Sequence, residues 1–395
     1  MEAYALDWIN LILRWLHLIT GIAWIGASFY FVWLDNSLLP PKRQRDVDEG
    51  IGGEVWSVHG GGFYHVQKFR VAPEVLPEPL HWFKWEAYTT WMTGFALFVV
   101  MYYANARTYM IDPAVAAIEP WQAIGISVAL LVAGWVIYDQ LCKRLGFARE
   151  RVLAISMIAL VALAAWFLAQ VFSGRAMFIQ VGAMLGTIMA ANVLFVIIPS
   201  QRALVDAKQR GVAPDPVEGQ KGKQRSVHNN YFTLPVLFAM ISGHYPMTWA
   251  HPQAWLILVA IMLIAALARH FFNLRHRGRT VWAIPVAAML ATAVVAMLIA
   301  PARPDVSKVP KFARVQAIMA ERCVSCHAER PTHPGFAVAP KGVMLDTPDR
   351  IVASARPIHD QTVATKAMPI ANLTQMTDAE RAELGAWIAA GTPRD

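Results

Sequence analysis

Long stretches without a single charged residue constrain this chain more than any other feature. A helix needs roughly 20 apolar residues to cross the hydrocarbon of a bilayer. Uncharged runs of about that length occupy Trp15–Leu34, Ala87–Ala106, Pro120–Tyr138, Val152–Gly174, Ala176–Gln201 and Val281–Ala300. A further run, Ser226–Ala268, is 43 residues long, too long for one helix. Its middle, Gly243-His244-Tyr245-Pro246 through His251-Pro252, carries turn chemistry, so it reads as two helices joined by a tight hairpin. Eight membrane spans are expected. A composition of 56% hydrophobic and 16% charged residues fits neither an ordinary soluble enzyme nor a disordered chain.

The net charge of +8 suggests nucleic-acid binding only until its placement is read. Loops after the first, third, fifth and seventh spans hold twenty Lys and Arg, while the alternate loops hold only Arg107 and Arg175. Cations stay on the cytoplasmic side of a membrane, so both termini are expected outside and no nucleic-acid partner is expected. No cation precedes Arg14, so the N-terminus lacks the basic region of a cleavable signal and need not be removed.

After the last span the composition becomes that of a soluble domain. Pro301-Ala302-Arg303-Pro304 and Pro310 form a stiff linker. Cys323-Val324-Ser325-Cys326-His327 then presents the C-x-x-C-H signature of covalent haem c: two thiols for the vinyl groups and an adjacent imidazole for the iron. Met368, before Pro369, is the expected sixth ligand, with Met344 and Met376 as competitors. Zinc would need a second ligand pair, and no other Cys lies in this segment. A helix over Lys311–Arg322 should pair with one opened by the Thr377…Glu380 capping box, carrying Leu384, Trp387 and Ile388 and stopped by Gly391. Haem c is attached outside the cytoplasm, which agrees with the charge argument. Cys142 receives no role.

A haem moves electrons but does not name their source, so polar residues at membrane depth matter. His17 lies inside the first span, where it could ligate iron, move a proton or bond another helix. His270 lies late in the seventh, near Arg269 and Asn273. The long first cytoplasmic loop contains Gly52-Gly53-Glu54-Val55-Trp56-Ser57-Val58-His59-Gly60-Gly61-Gly62-Phe63-Tyr64-His65. Its glycines permit close approach to a flat ligand or a flexible lid, and the competing reading is a surface-lying amphipathic segment. No phosphate-cradling P-loop follows from it. His228-Asn229-Asn230-Tyr231 opens the sixth span beside the Lys221–Arg225 cations, an entrance suited to an anionic heteroaromatic substrate or simply an Asn-capped helix start. His244 and His251 lie at the opposite, outer end. The candidate catalytic set is therefore His17, His59, His65, His228, Asn229 and His244. A cytoplasmic site would stand about 30 Å of hydrocarbon from an outer haem, so either the site lies outward or a relay such as haem b, with His17 as candidate ligand, bridges the gap.

Leu13-Arg14-Trp15-Leu16-His17, the segment Ile22–Phe31, the Gly-rich loop, Glu86–Trp91, His228–Tyr231 and Gly243–Pro246 together resemble the bacterial membrane-bound urate oxidases, also called urate hydroxylases. The likeness runs the length of the chain. It implies an all-α fold: an eight-helix transmembrane bundle over 1–302, then a small class I cytochrome c domain over 303–395. It also implies oxidation of urate to 5-hydroxyisourate in purine catabolism, in the bacterial inner membrane with the cytochrome on the periplasmic side. Electrons would pass to the fused haem and on to a respiratory acceptor such as a cytochrome c or terminal oxidase, without hydrogen peroxide. The resemblance brings no catalytic residues with it. Competing readings are an electron-transfer subunit for a separate dehydrogenase and a transporter with a redox-sensing cytochrome. The first is disfavoured because one helix suffices to anchor a cytochrome; the second predicts substrate flux without haem reduction.

Overall fold

The uncharged runs are mostly helical in the computed structural model, which describes residues 2–300 and 305–394. Among the described residues up to 300, eight helices of 14 residues or more follow one another: α1 (Glu2–Ser37), α2 (Trp85–Phe98), α3 (Pro120–Leu145), α4 (Glu150–Ala169), α5 (Gly174–Gln209), α6 (Pro216–Ile241), α7 (Ala254–His276) and α8 (Ala283–Leu298). Five of them, α1, α3, α4, α5 and α7, are long and apolar enough to cross a membrane. The others fall short for separate reasons. α2 is 14 residues before it widens into a π turn at Val99–Tyr103, the first half of α6 is charged, and α8 is 16 residues long.

α5 sits at the centre. Two thirds (67%) of its apolar window is buried, against none of that of α1, because Met177, Phe178, Val181, Met184, Leu185 and Ile188 all face neighbouring helices. Pro199 lacks the N–H that would continue the ladder, and the helix widens to a π turn at Val193–Ile197 just before it. α1, α6 and α8 instead leave large apolar side chains on the outside, among them Trp15, Ile22, Ile241, Leu290 and Met297. A water-soluble fold would not expose so continuous an apolar surface.

The all-α expectation needs one correction. The Gly-rich loop is not helical but an antiparallel hairpin of β1 (Ile51–His59) and β2 (Gly62–Phe69). Its turn is Gly60-Gly61, with φ of 57° and 79°, the two left-handed positions that a two-residue hairpin turn requires. Val55 pairs with Val66, Trp56 with His65 and Val58 with Phe63. Reciprocal backbone bonds between Leu39 and Glu54 tie the hairpin to the chain leaving α1.

The C-terminal segment has a core of its own. α9 (Phe312–Arg322) and α10 (Asp378–Ala389) bring Phe312 and Trp387 into a stack 5.7 Å between ring centres, with Trp387 fully buried. The capping box is formed as the sequence suggests, Thr377 Oγ1 accepting from the Glu380 amide while the Glu380 carboxylate accepts from the Thr377 amide. The turn at Ile370–Asn372 lies against Ala106–Tyr109, at the end of the helices remote from the cationic connections. The linker prolines 301 and 304, and with them the expected 302/303 domain boundary, lie outside the described residues.

Candidate functional site

The sequence-selected residues do not form one constellation. His17 in α1 faces α2, its Nδ1 3.0 Å from the Thr90 carbonyl and 3.3 Å from Thr93 Oγ1. A carbonyl can only accept, so Nδ1 carries the proton of the neutral ring and the Nε2 lone pair is free. Gly94 makes the approach possible: a Cβ there would lie 2.6 Å from His17 Cε1. His59 stands exposed at the hairpin turn. His65 donates to Glu54 at 2.8 Å while stacking on Trp56 at 4.2 Å. That hydrogen bond draws the Glu54 carboxyl below its usual range. His244 is exposed at the far end of α6, roughly 20 Å along the helix from His228.

His228 and Asn229 do come together, in a network that sequence reasoning missed in large part. Tyr138 Oη lies 2.8 Å from His228 Nδ1 and accepts from Asn192 Nδ2 at 3.1 Å. Asn192 also donates to Asn229 Oδ1 at 2.8 Å. At the centre is Arg225, 3% exposed, which donates to Asp139 at 2.8 Å and lies 4.8 Å from the centre of the Tyr138 ring. Every member of this network has a partner, and its charge is balanced. Such an arrangement holds α3, α5 and α6 in register.

A second network uses the neighbouring face of α6. Asn230 Oδ1 accepts from Arg269 Nε at 2.9 Å and from Asn273 Nδ2 at 3.0 Å, both on α7. The guanidinium of Arg269, a residue 4% exposed, lies over Phe29 of α1, 3.8 Å from the ring centre. Here the balance is missing. Arg269 has no carboxylate partner among the described residues, and Arg269 Nη2, Asn230 Nδ2, Asn273 Oδ1 and His276 Nδ1 are buried without hydrogen-bond partners. Isolated buried charge costs several kcal/mol in real proteins. His270 is bonded instead to Tyr231 Oη, at 2.7 Å from its Nδ1.

Arg225 and Arg269 read as loop cations in the sequence, because both stand just outside uncharged runs. The helices continue past those runs, to Pro216 and His276, and carry them inside. The signal that could have found them is helical spacing: Arg225 with Asn229 and Arg269 with Asn273 are each one turn apart.

In the C-terminal segment Cys323 and Cys326 are unpaired thiols at the end of α9. His327 Nδ1 donates to the Val343 carbonyl at 3.0 Å, which again leaves Nε2 free to bind a metal. Burial pushes the Cys323 thiol up to about 12. Among the methionines, Met376 is buried in the core at 3% exposure, while Met344 and Met368 are half-buried. The Met368 carbonyl is held by Arg381 at 2.7 Å.

Residues 3–300 match the family described as urate oxidase N-terminal. The chain belongs to this family. Membership in the urate oxidase N-terminal family covers all eight long helices and the hairpin, and it makes the chain an oxidoreductase relative whose family substrate is urate. The residues after 300, with the C-x-x-C-H loop, lie beyond the match. Searches of curated proteins and of solved structures found no match.

Proposed function

We propose that this protein oxidises urate to 5-hydroxyisourate at a bacterial inner membrane and delivers the electrons to a haem c in its own C-terminal domain, residues 303–395. The observation that carries the reading is the urate oxidase N-terminal match over 3–300 in one chain with Cys323-Val324-Ser325-Cys326-His327. The exposed apolar faces of α1, α6 and α8 and the five long apolar helices support a lipid setting.

Urate plus water becomes 5-hydroxyisourate with release of two electrons and two protons, so water supplies the oxygen and no hydrogen peroxide forms. The haem-binding residues fit their role: two free thiols three residues apart, a histidine whose Nδ1 is held by a backbone carbonyl, and Met368 as the sixth-ligand candidate. Bound haem c supplies a one-electron acceptor, used twice per urate, ahead of a respiratory acceptor such as a cytochrome c or terminal oxidase. His17, with its free Nε2 at mid-depth of α1, is the residue that would hold a relay such as haem b.

Anaerobic addition of urate to the purified protein tests the proposal. The haem c spectrum should become reduced by urate alone. An oxidised spectrum that does not change, with intact haem, overturns it. His327→Ala should abolish electron acceptance while urate binding persists.

A further inference from the structure

We infer that Arg269, Asn230 and Asn273, closed below by Phe29 and flanked by His276, form the binding site for the urate monoanion. This deepens the urate reading and rests on it. Two arginines buried to the same degree differ in their partners. Arg225 has Asp139 at 2.8 Å. No carboxylate lies within 4 Å of Arg269 among the described residues; its Nε is bonded to Asn230, its guanidinium lies over Phe29, and its Nη2 has no hydrogen-bond partner. A cation kept dry without a counter-charge is a poor structural element and a good receptor for an anion.

The free groups also select the kind of anion. Arg269 Nη2 and Asn230 Nδ2 are unused donors, while Asn273 Oδ1 is an unused acceptor. Phosphate or a lipid phosphodiester offers acceptors almost alone and would face the Asn273 oxygen without a hydrogen to give it. Urate is planar, carries one negative charge at neutral pH, and alternates C=O acceptors with N–H donors around its rim. Its edge matches the mixture. Arg269, Asn273 and His276 share one face of α7, at i, i+4 and i+7, so a flat ligand can meet all three along one edge. Phe29 packs against the guanidinium, 3.8 Å from its ring centre to the guanidinium carbon.

Position along the helices fits electron flow. Arg269 lies roughly 10 Å from the His276 end of α7, the end with the cationic connections that attract an anion. Roughly 18 Å of α1 separates Phe29 from His17, and His17 is nearer the opposite end. His17 thus lies between the cluster and the end of the helices that the Ile370–Asn372 turn meets.

The test measures equilibrium binding of radiolabelled urate to the purified full-length protein, alongside its thermal midpoint and urate-driven haem reduction. Arg269→Gln should weaken urate binding at least tenfold while the midpoint holds or rises, since an unbalanced buried charge has been removed; Arg269→Lys should recover part of the loss. Inorganic phosphate at millimolar concentration should not displace urate. Urate binding unchanged in Arg269→Gln overturns the site, and so does displacement by phosphate at concentrations similar to urate. If Arg269→Gln no longer melts cooperatively, Asn273→Leu decides: a tenfold loss supports the site and wild-type binding overturns it. Wild-type protein that neither binds urate nor is reduced by it overturns the urate reading itself, whereas failure confined to the variants overturns only this site.

Discussion

At the scale of single residues, what matters is whether a buried group has its partner. Removing one member of a buried ion pair leaves the other unpaired, at a cost of about 3–5 kcal/mol. Asp139→Asn should therefore destabilise the protein by about that amount, through the stranded Arg225, and lower the thermal midpoint clearly. A midpoint equal to wild type would mean that the Asp139–Arg225 pair is not what balances the network. Cys323 gives a prediction of another kind. With its thiol pushed up to about 12 by burial, it stays protonated at neutral pH in the folded, unloaded segment. Haem-free protein should resist iodoacetamide at Cys323 at pH 8 and react once unfolded, as read by mass spectrometry. His228 and Asn229 were legible as candidates because polar residues stand out at the start of an apolar run. Arg225 and Arg269 were not, because a cation beyond the edge of such a run looks like a loop residue.

At the scale of elements, the hairpin shows how a local rule can be hidden by composition. Val55, Trp56 and Val58 in one run and Phe63, Tyr64 and Val66 in the other are β-branched or aromatic, and Gly60-Gly61 separates the two runs. That is a strand–turn–strand pattern. The surrounding glycines disguised it as a flexible loop. Because Gly60 and Gly61 both have positive φ, a Cβ at either is strained by roughly 1–2 kcal/mol. Gly61→Val should loosen the hairpin enough for trypsin to cut at Lys68 and Arg70 faster than in wild type, with the rest of the chain melting normally. Acid should loosen it as well. The carboxyl of Glu54 is lowered chiefly by its bond from His65, so its stabilisation is present above the ordinary glutamate value and is lost as pH falls through the lowered one. Hydrogen exchange along β1 and β2 should rise over that interval.

The whole molecule poses a question of direction. The cationic connections and the Arg269 cluster lie towards one end of the helices, while the turn at Ile370–Asn372 meets Ala106–Tyr109 at the other. If the charge rule sets orientation, these ends face opposite compartments. Cysteines at Phe63 and Val306, both exposed, should separate them. In intact spheroplasts a membrane-impermeant maleimide should label Val306→Cys and leave Phe63→Cys untouched until the membrane is broken. The reverse pattern would overturn the orientation.

Sequence alone determined where the apolar helices centre and which residues stand at the C-x-x-C-H spacing. These follow from local quantities: the transfer free energy of an uncharged run, the sign of the charges beside it, and the covalent spacing of two thiols and an imidazole. The tertiary structure alone decided which polar residues are buried, which cations are balanced and which are left open. Those answers depend on pairings across 86 residues for Arg225 with Asp139 and 39 for Arg269 with Asn230. No window along the chain contains such pairings, because only the crossing of α6 with α3 and α7 creates them.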